Sequence, residues 1–455
     1  MIPSAGRTLN RRIAIAFTGL LLATVVLVPY RYLVLPDFIP GFFQILVHYA
    51  PALLSVLLVL SWGSWRRGTF RETLSAIPLY APVAVLFLAG VMSSLGAEKP
   101  LLSLSKTGYY FLTGGLLFVV VADLYASIKR PQIGLYLFVF TAYLVALYGI
   151  VEFVVGRNPV YHGVFSVENE MYLRLIPDPW FGRRVVSTIG HPVVLGAYLV
   201  LVIPLSFSLL FNARQRLLQA VFLLGSGSLL GALGLTFSRG AWLAVLVGLG
   251  VYLKLRKPRH LLLLPLVLGI ALVAVLGLSE DLAQIVMERL QDAYENYILN
   301  FASTTRGQSY GHVAAITGAN PLMGLGTGMY RFTAYALRIS MGIPTPLGVL
   351  DTPDNMYLMW LAENGALGLG AAVYLVAALF RLLWQAVKAQ IDAARKDLGR
   401  AFIAAFAGFC VDMLTCDALY FHVTRVVFWM VAGLAVALLV CGKNRPPETT
   451  DQDKQ

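Results

Sequence analysis

Two arginines and one aspartate carry most of the chemical potential of this sequence. Arg239 stands in Thr236-Phe237-Ser238-Arg239-Gly240-Ala241-Trp242, between two apolar runs. Arg306 stands in Ser303-Thr304-Thr305-Arg306-Gly307-Gln308, behind a row of hydroxyls and ahead of a helical pattern. A guanidinium is a planar fork of donors that fits phosphate or carboxylate in bidentate fashion. Hydroxyls and free N–H groups at a helix start complete an anion site. The plainer readings are a snorkelling arginine at a helix end for Arg239 and a solvated arginine beside a threonine cap for Arg306. Asp354 lies in Asp351-Thr352-Pro353-Asp354-Asn355-Met356-Tyr357-Leu358, just before an apolar helix. Pro353 holds the residue before it extended, so Asp354 or Asn355 is placed to cap the helix. The alternative for Asp354 is a general base at the membrane face. Asp351 and Asp354 find no third ligand, so no metal is expected.

Further polar residues fall in apolar surroundings. Asp412 and Asp417 interrupt one apolar run and Glu152 ends another. Such charges face a bundle interior or water, and an ion pair of Asp412 with Arg239 or Arg425 is the structural reading. His191, in Gly190-His191-Pro192, opens a helix and reads as a cap or a satisfied interfacial histidine before a catalyst. The stretch Gly324-Leu325-Gly326-Thr327-Gly328 lacks the Lys-Ser/Thr of a nucleotide loop. It reads as a tight turn through which backbone approaches backbone or ligand. Cys410, Cys416 and Cys441 lack the spacing of a disulfide framework or a zinc site.

The elements that must hold these residues are membrane helices. Of 455 residues, 58% are hydrophobic and 13% charged, with mean hydropathy +0.74. Soluble domains carry about 25% charged residues, so lipid must solvate most of the exterior. Apolar runs long enough to cross a bilayer fall near 13–29, 43–63, 76–95, 106–127, 132–154, 192–211, 217–237, 240–253, 261–279, 364–384, 401–420 and 425–442. The expectation is an all-α integral membrane protein with about a dozen transmembrane helices. Residues 1–279 form an N-terminal bundle, 280–353 a large loop with short surface helices, and 354–442 the C-terminal helices. Residues 443–455 form a disordered tail. Residues 385–400 read as an amphipathic interfacial helix, and 155–191 as a second long loop. The basic start before the first run lacks a small-residue cleavage site and reads as a retained first helix.

Short basic segments, such as Arg66-Arg67 and Lys254 to Arg259, place both termini in the cytoplasm by the positive-inside rule. Arg239, Arg306 and Asp354 then share the opposite face. The net charge of +12 suits anionic lipid head groups. Nucleic acid is not an expected partner, because no polar segment shows a basic stripe with interleaved aromatics.

Taken together, Phe237-Ser238-Arg239-Gly240-Ala241-Trp242, Arg306, Asn320-Pro321-Leu322-Met323-Gly324-Leu325-Gly326-Thr327-Gly328, Asp354-Asn355-Met356-Tyr357-Leu358 and Leu361-Ala362-Glu363-Asn364-Gly365-Ala366-Leu367-Gly368 resemble the O-antigen polymerase and O-antigen ligase superfamily. Arg184-Val185-Val186-Ser187-Thr188-Ile189-Gly190-His191-Pro192 is similar to a stretch upstream of that core. The clearest similarity covers roughly 230–375. The resemblance implies an enzyme at the periplasmic face of the bacterial inner membrane. It would move a glycan, with inversion and without metal or other cofactor, from an undecaprenyl-diphosphate carrier to an acceptor glycan or glycolipid. Arg239 and Arg306 match the family arginines that hold the donor diphosphate, and Asp354 falls at the catalytic position. Many members, ligases especially, have histidine there, and this departure leads to polymerase as the first reading and ligase as the second. Arg184, His191, Asn355, Glu363 and Asp412 are the secondary candidates. A chain-length regulator protein is a possible partner. A small-solute transporter is the alternative of a different class, and it would place its polar groups at broken helices near the midplane.

Overall fold

Residues 4–27, 49–128, 131–156, 158, 184–257, 301, 304–340 and 352–440, with scattered positions between 259 and 300, are described in a computed structural model. Among them every long regular element is a helix. In chain order these are α1 (Ser4–Leu27), α2 (Ala50–Trp65), the short α3 (Phe70–Ala76), α4 (Tyr80–Leu95), α5 (Pro100–Ser127), α6 (Gln132–Val155), α7 (Pro192–Asn212), α8 (Arg216–Leu235), α9 (Arg239–Arg256), α10 (Thr305–Ala319), α11 (Tyr330–Ser340), α12 (Met356–Ala389), α13 (Ala393–Asp412) and α14 (His422–Leu439). Of these, α5, α6, α7, α8, α12 and α14 are long and apolar enough to cross a membrane, and α2 and α4 are shorter apolar helices. The chain is an all-α integral membrane protein. The expected span at 261–279, much of the loop at 280–353, most of the loop at 155–191 and the tail at 443–455 lie outside the described residues.

Every residue of α14 is buried, so this helix is the axis of the bundle and never meets lipid. It packs on α5 and α7, while α13 packs on α7 and α9, and α12 on α4. Helices in lipid gain nothing from hydrophobic exclusion and associate through close packing of small residues. The α9–α13 contact follows that rule. A Cβ on Gly408 would stand 2.8 Å from the Ala244 carbonyl oxygen, and one on Gly248 3.0 Å from that of Ala404.

Buried charges fasten the end of the bundle at which α7 and α9 finish and α13 begins. Asp397 accepts from Arg256 Nε at 3.0 Å, the Tyr252 hydroxyl at 2.7 Å, Asn212 Nδ2 at 2.7 Å and Ser208 at 3.0 Å. Three helices are thereby tied to one carboxylate. Asp123 of α5 is held in the same manner by both forks of Arg66, at 2.6 and 2.7 Å, and by Trp62 Nε1 at 2.8 Å.

The expected interfacial helix at 385–400 does not form as one unit. Residues 385–389 finish α12 and 393–400 begin α13. The break at 390–392 has a local cause: Asp392 caps α13 through the Ala394 N–H, and Gln390 donates to the Leu439 carbonyl.

The most consequential irregularity is in α12. Gly365 adopts φ 63°, ψ −164°, and the helix is interrupted there. The ladder bonds that Ala366 and Leu367 would donate to Ala362 and Glu363 are replaced. Ala366 N–H goes to Pro321 O at 2.9 Å and Leu367 N–H to Leu322 O at 3.2 Å, while Ala362 O and Glu363 O accept from Leu325 N at 3.0 Å and Gly326 N at 2.8 Å. The glycine turn is thus a backbone-on-backbone contact, as its composition suggests. Gly324, Gly326 and Gly328 all have positive φ.

Two outcomes test this architecture. Asp397→Ala removes the buried acceptor shared by Ser208, Asn212, Tyr252 and Arg256; thermal unfolding in detergent should show a clearly lowered midpoint. In Gly365→Ala the new Cβ would stand 2.3 Å from the Leu322 carbonyl carbon. Monodisperse yield should fall sharply, whereas Gly370→Ala, which meets nothing within 4 Å, should purify as the parent does.

Candidate functional site at the end of the bundle where α13 finishes

The turn 413–417, which follows α13, is the meeting point of the site. Thr415 N–H returns to Asp412 O at 2.8 Å. This leaves the Thr415 carbonyl to accept from Arg306 Nη2 at 2.8 Å. Arg306 sits in the first turn of α10, which Thr304 caps through the Gly307 N–H at 3.1 Å. The second contact of the guanidinium is Nε to Asp354 Oδ2, at 3.1 Å. Arg239 is the first residue of α9, and its neighbour Gly240 lies so close to Thr415 that a Cβ there would overlap the threonine side chain. The same turn therefore abuts the elements that bear both arginines.

Asp354 is not the helix cap. That task belongs to Asn355, whose side-chain oxygen accepts from Tyr357 N at 3.0 Å and Leu358 N at 3.1 Å. Its Nδ2 donates to the Tyr310 hydroxyl and the Leu414 carbonyl, at 3.2 and 3.1 Å. Met356 N–H adds a bond to Met413 O at 2.8 Å. Asp354 itself sits at φ 49°, with 49% of its side chain exposed. An aspartate tolerates the left-handed region better than most residues. Among the described residues, the other non-glycine positive φ angles belong to Leu79, Ser187 and Phe237. Ser187 and Phe237 lie in the two segments that accompany Asp354 here. Backbone held in sparsely populated conformations gathers at working sites.

The segment 184–191 is fixed from two sides. Glu152 accepts from Ser187 N at 2.6 Å and from Val186 N at 3.3 Å. Arg184 Nε donates to Thr236 O at 2.8 Å, and Val185 N–H to Leu235 O at 3.0 Å. Arg184 is thereby tied to the turn that presents Arg239. His191 occupies the cap position of α7, where its backbone carbonyl accepts from Leu195, and its ring stacks on Phe421 at 5.8 Å. Burial pushes the His191 imidazole down to about 4, and the positive charge of Arg184 acts in the same direction. The ring is therefore neutral at neutral pH.

Asp412 is fully buried at the end of α13. The expected ion pair with Arg239 or Arg425 does not form, and its carboxylate oxygens have no hydrogen-bond partner among the described residues. The reason is geometric: Arg425 is committed to the carbonyls of Leu419 and Tyr420 and to Thr113. Asp417, also buried, is bonded by the Thr352 side chain. Glu363 stands apart from this cluster. It lies next to the Gly365 break and accepts from the N–H groups of Tyr330, at 3.2 Å, and Gly328. Asp351 lies outside the described residues.

Of the residues singled out from sequence, Arg306, Asp354, Asn355 and Asp412 therefore surround one turn. The backbone of Arg239 adjoins it, and Arg184 and His191 border it. Thr415 was not singled out from sequence. Its only signal is that Leu414-Thr415-Cys416-Asp417 interrupts an apolar run. The arrangement offers guanidinium donors, N–H groups at the start of α9 and a half-exposed carboxylate within contact of one arginine. Such a set can bind a phosphorylated group and take a proton from a neighbouring hydroxyl.

Comparison with curated proteins gives no match. Residues 224–373 match a family model described as O-antigen ligase. The matched region spans α9, α10, α11, the glycine turn and the interrupted half of α12, which is the part of the chain that carries Arg239, Arg306 and Asp354. The match, confined to residues 224–373, supports the resemblance of this region to the O-antigen polymerase and ligase superfamily.

Proposed function

We propose that the protein transfers a glycan from an undecaprenyl-diphosphate carrier to an acceptor hydroxyl at the periplasmic face of the bacterial inner membrane, as a surface-polysaccharide polymerase. The observation that carries this reading is the Arg306–Asp354 pair at 3.1 Å, beside the N-terminus of the helix that begins with Arg239. Breaking a glycosyl–phosphate bond develops negative charge on the diphosphate. Positive groups that meet this charge in the transition state lower the barrier. Attack on the anomeric carbon also requires that the acceptor hydroxyl lose its proton to a base within hydrogen-bond reach.

In this mechanism the incoming diphosphate takes donors of Arg306 and Arg239. The Asp354 carboxylate, relieved of its arginine, faces the acceptor. It accepts the hydroxyl proton as the oxygen attacks C1 from the face opposite the leaving group. The configuration inverts, and the undecaprenyl diphosphate departs with the electron pair of the broken C–O bond. The role of Asn355 is to hold the start of α12 while Asp354 stays free of capping duty. A ligase is the second reading. It is favoured by the description of the matching family, whereas the carboxylate in place of histidine at position 354 favours the polymerase.

Incubation of purified protein with an undecaprenyl-diphosphate glycan should yield a ladder of longer products without added acceptor. If label enters only an added lipid A–core, the enzyme is a ligase. If neither product forms, the transferase reading fails. Asp354→Asn should lower turnover by about 10²–10⁴-fold with an unchanged melting midpoint, because the cap is Asn355. Wild-type turnover in that variant removes Asp354 as the base. Arg306→Lys should rescue poorly, since an ammonium cannot reach Thr415 O and a phosphate with the geometry of the fork. The orientation is tested in a cysteine-free background. Asn320→Cys should label in sealed cells, and Asp392→Cys only after permeabilisation; the reverse pattern would remove the site from the periplasm.

A further inference from the structure

A second feature of the bundle lies outside the Arg306–Asp354 pair. Arg425 is on α14, in its first turn, and is 3% exposed. Burial of a charge is costly unless a partner compensates it. Arg425 has no carboxylate within ion-pair distance among the described residues. Its Nη1 donates to Leu419 O at 3.1 Å and Tyr420 O at 2.9 Å, and its Nε to Thr113 Oγ1 at 3.1 Å. Its Nη2 has only His422 Nδ1, at 3.4 Å, and Tyr109 OH competes for that nitrogen at 2.7 Å. The rings of Tyr109 and Tyr110 lie 5.2 and 4.3 Å from the guanidinium carbon. These contacts are neutral dipoles and ring faces, and among the described residues no counter-charge touches the guanidinium.

The same arginine lines a partly open cavity between α4, α5, α12 and α14. Its walls are largely apolar, with Val83, Leu86 and Phe87 from α4 and Phe111 from α5. Its course follows from helix positions. Arg425 is the fourth residue of α14 and Trp429 lies one turn further along, so the cavity extends along the helix away from its first turn. Glu363 also borders it, but its carboxylate accepts from the N–H groups of Tyr330 and Gly328.

A local irregularity of α5 builds the arginine's seat. Residues Leu112–Leu116 form a π turn within the helix, a feature frequent at functional sites. Thr113 within this turn accepts from Arg425. Gly114 faces the Trp429 indole so closely that a Cβ there would stand 2.7 Å from Nε1. A regular α-helix would not set Thr113 and the bare face of Gly114 toward α14 in this register.

We propose that this cavity is a binding site for a phosphate-bearing lipid, with the phosphate on Arg425 and the chain along α4 and α5. The ligand supplies the counter-charge that the described residues do not. The apolar walls exclude a free sugar phosphate or inorganic phosphate as the principal occupant, because neither would cover them. The phosphate can belong to a polyprenyl carrier or to a bulk phospholipid. Only the first of these sources rests on the proposed transfer reaction.

The test is direct binding, measured by native mass spectrometry on the full-length protein with Arg239→Ala and Arg306→Ala in place. These changes remove those two arginines as a source of signal. The probes are undecaprenyl diphosphate, undecaprenol and phosphatidylglycerol. The expected result is retained binding of a phosphorylated lipid, with undecaprenol weaker by roughly tenfold or more. Arg425→Met should abolish that preference. Leu86→Trp, which fills the cavity and leaves the arginine untouched, should weaken every probe. Preference for undecaprenyl diphosphate over phosphatidylglycerol assigns the site to the carrier, and equal binding assigns it to bulk lipid. Equal binding of undecaprenol and the phosphorylated lipids would overturn the proposal, as would wild-type binding in Leu86→Trp or loss of all binding in the double-arginine background. No glycan is present, so failure of the transferase reading leaves this result standing.

Discussion

Within a bilayer a backbone N–H or C=O has no water to turn to, and this constraint bears on every interruption of a membrane helix. A helix interrupted inside the membrane must find substitutes for the bonds it gives up. In α12 the substitutes come from residues 321–326, which replace the ladder pair by pair on both sides of Gly365. The exchange does more than satisfy polar groups. It binds the segment between α10 and α11 to the first two turns of α12, with Asp354 and Asn355 at the head of that same stretch. Ser93 adds a bond to the Glu363 carbonyl at 2.7 Å and brings α4 into the same joint. The position of this stretch relative to α4 and to residues 321–326 is thereby fixed largely by backbone bonds.

A second consequence is the economy of the turn after α13. The carbonyls of Met413, Leu414 and Thr415 accept from Met356, Asn355 and Arg306 respectively. A segment of three residues therefore orients the head of α12 and the arginine of α10. The tight approach of Gly240 to Thr415 adds α9. Arg239 and Arg306 stand at the first turn of their helices, and Asn355 caps a third, beside a turn from a distant part of the sequence. Elements of this kind keep their geometry when a ligand replaces one contact, because the remaining contacts are backbone bonds. The Arg306–Asp354 pair is a charge–charge contact of the cluster, and its carboxylate is half exposed.

Much of this was legible in the sequence, for identifiable reasons. Hydrophobicity and charge placement report the membrane class directly, because lipid and water differ so strongly as solvents. The helix starts at Arg239, Thr305 and Met356 follow from hydroxyl, proline and amide signals that act locally. The glycine turn was readable as a close backbone approach, though not its partner, since nothing local in 320–328 names Gly365. The choice of Asn355 over Asp354 as the cap was not readable either. Both residues cap equally well in isolation, and the decision rests on Tyr310 and Leu414, which satisfy the second end of the asparagine amide. The interfacial helix expected at 385–400 failed for the converse reason. Its periodicity was real, but Asp392 and the Leu439 carbonyl divide it between two helices.

The buried charges at the two ends of the bundle have opposite chemistry, and the contrast bears on what each end does. At the end where α13 begins, Asp397 and Asp123 meet arginines together with enough neutral donors to occupy their oxygens. Those clusters are closed, and they serve as fasteners. At the end where α13 finishes the charges are left open. Asp412 has no hydrogen-bond partner for its carboxylate among the described residues, Asp354 is half exposed, and Arg425 is surrounded by dipoles in place of a counter-ion. A protein that needed only stability would close these groups or replace them with apolar side chains, since a buried pair is often no better than a hydrophobic substitute. Incomplete compensation confined to one end is what a site requires if a charged ligand is to provide the missing partner. The asymmetry therefore separates an end of the bundle whose charges are closed from an end whose charges are incompletely compensated.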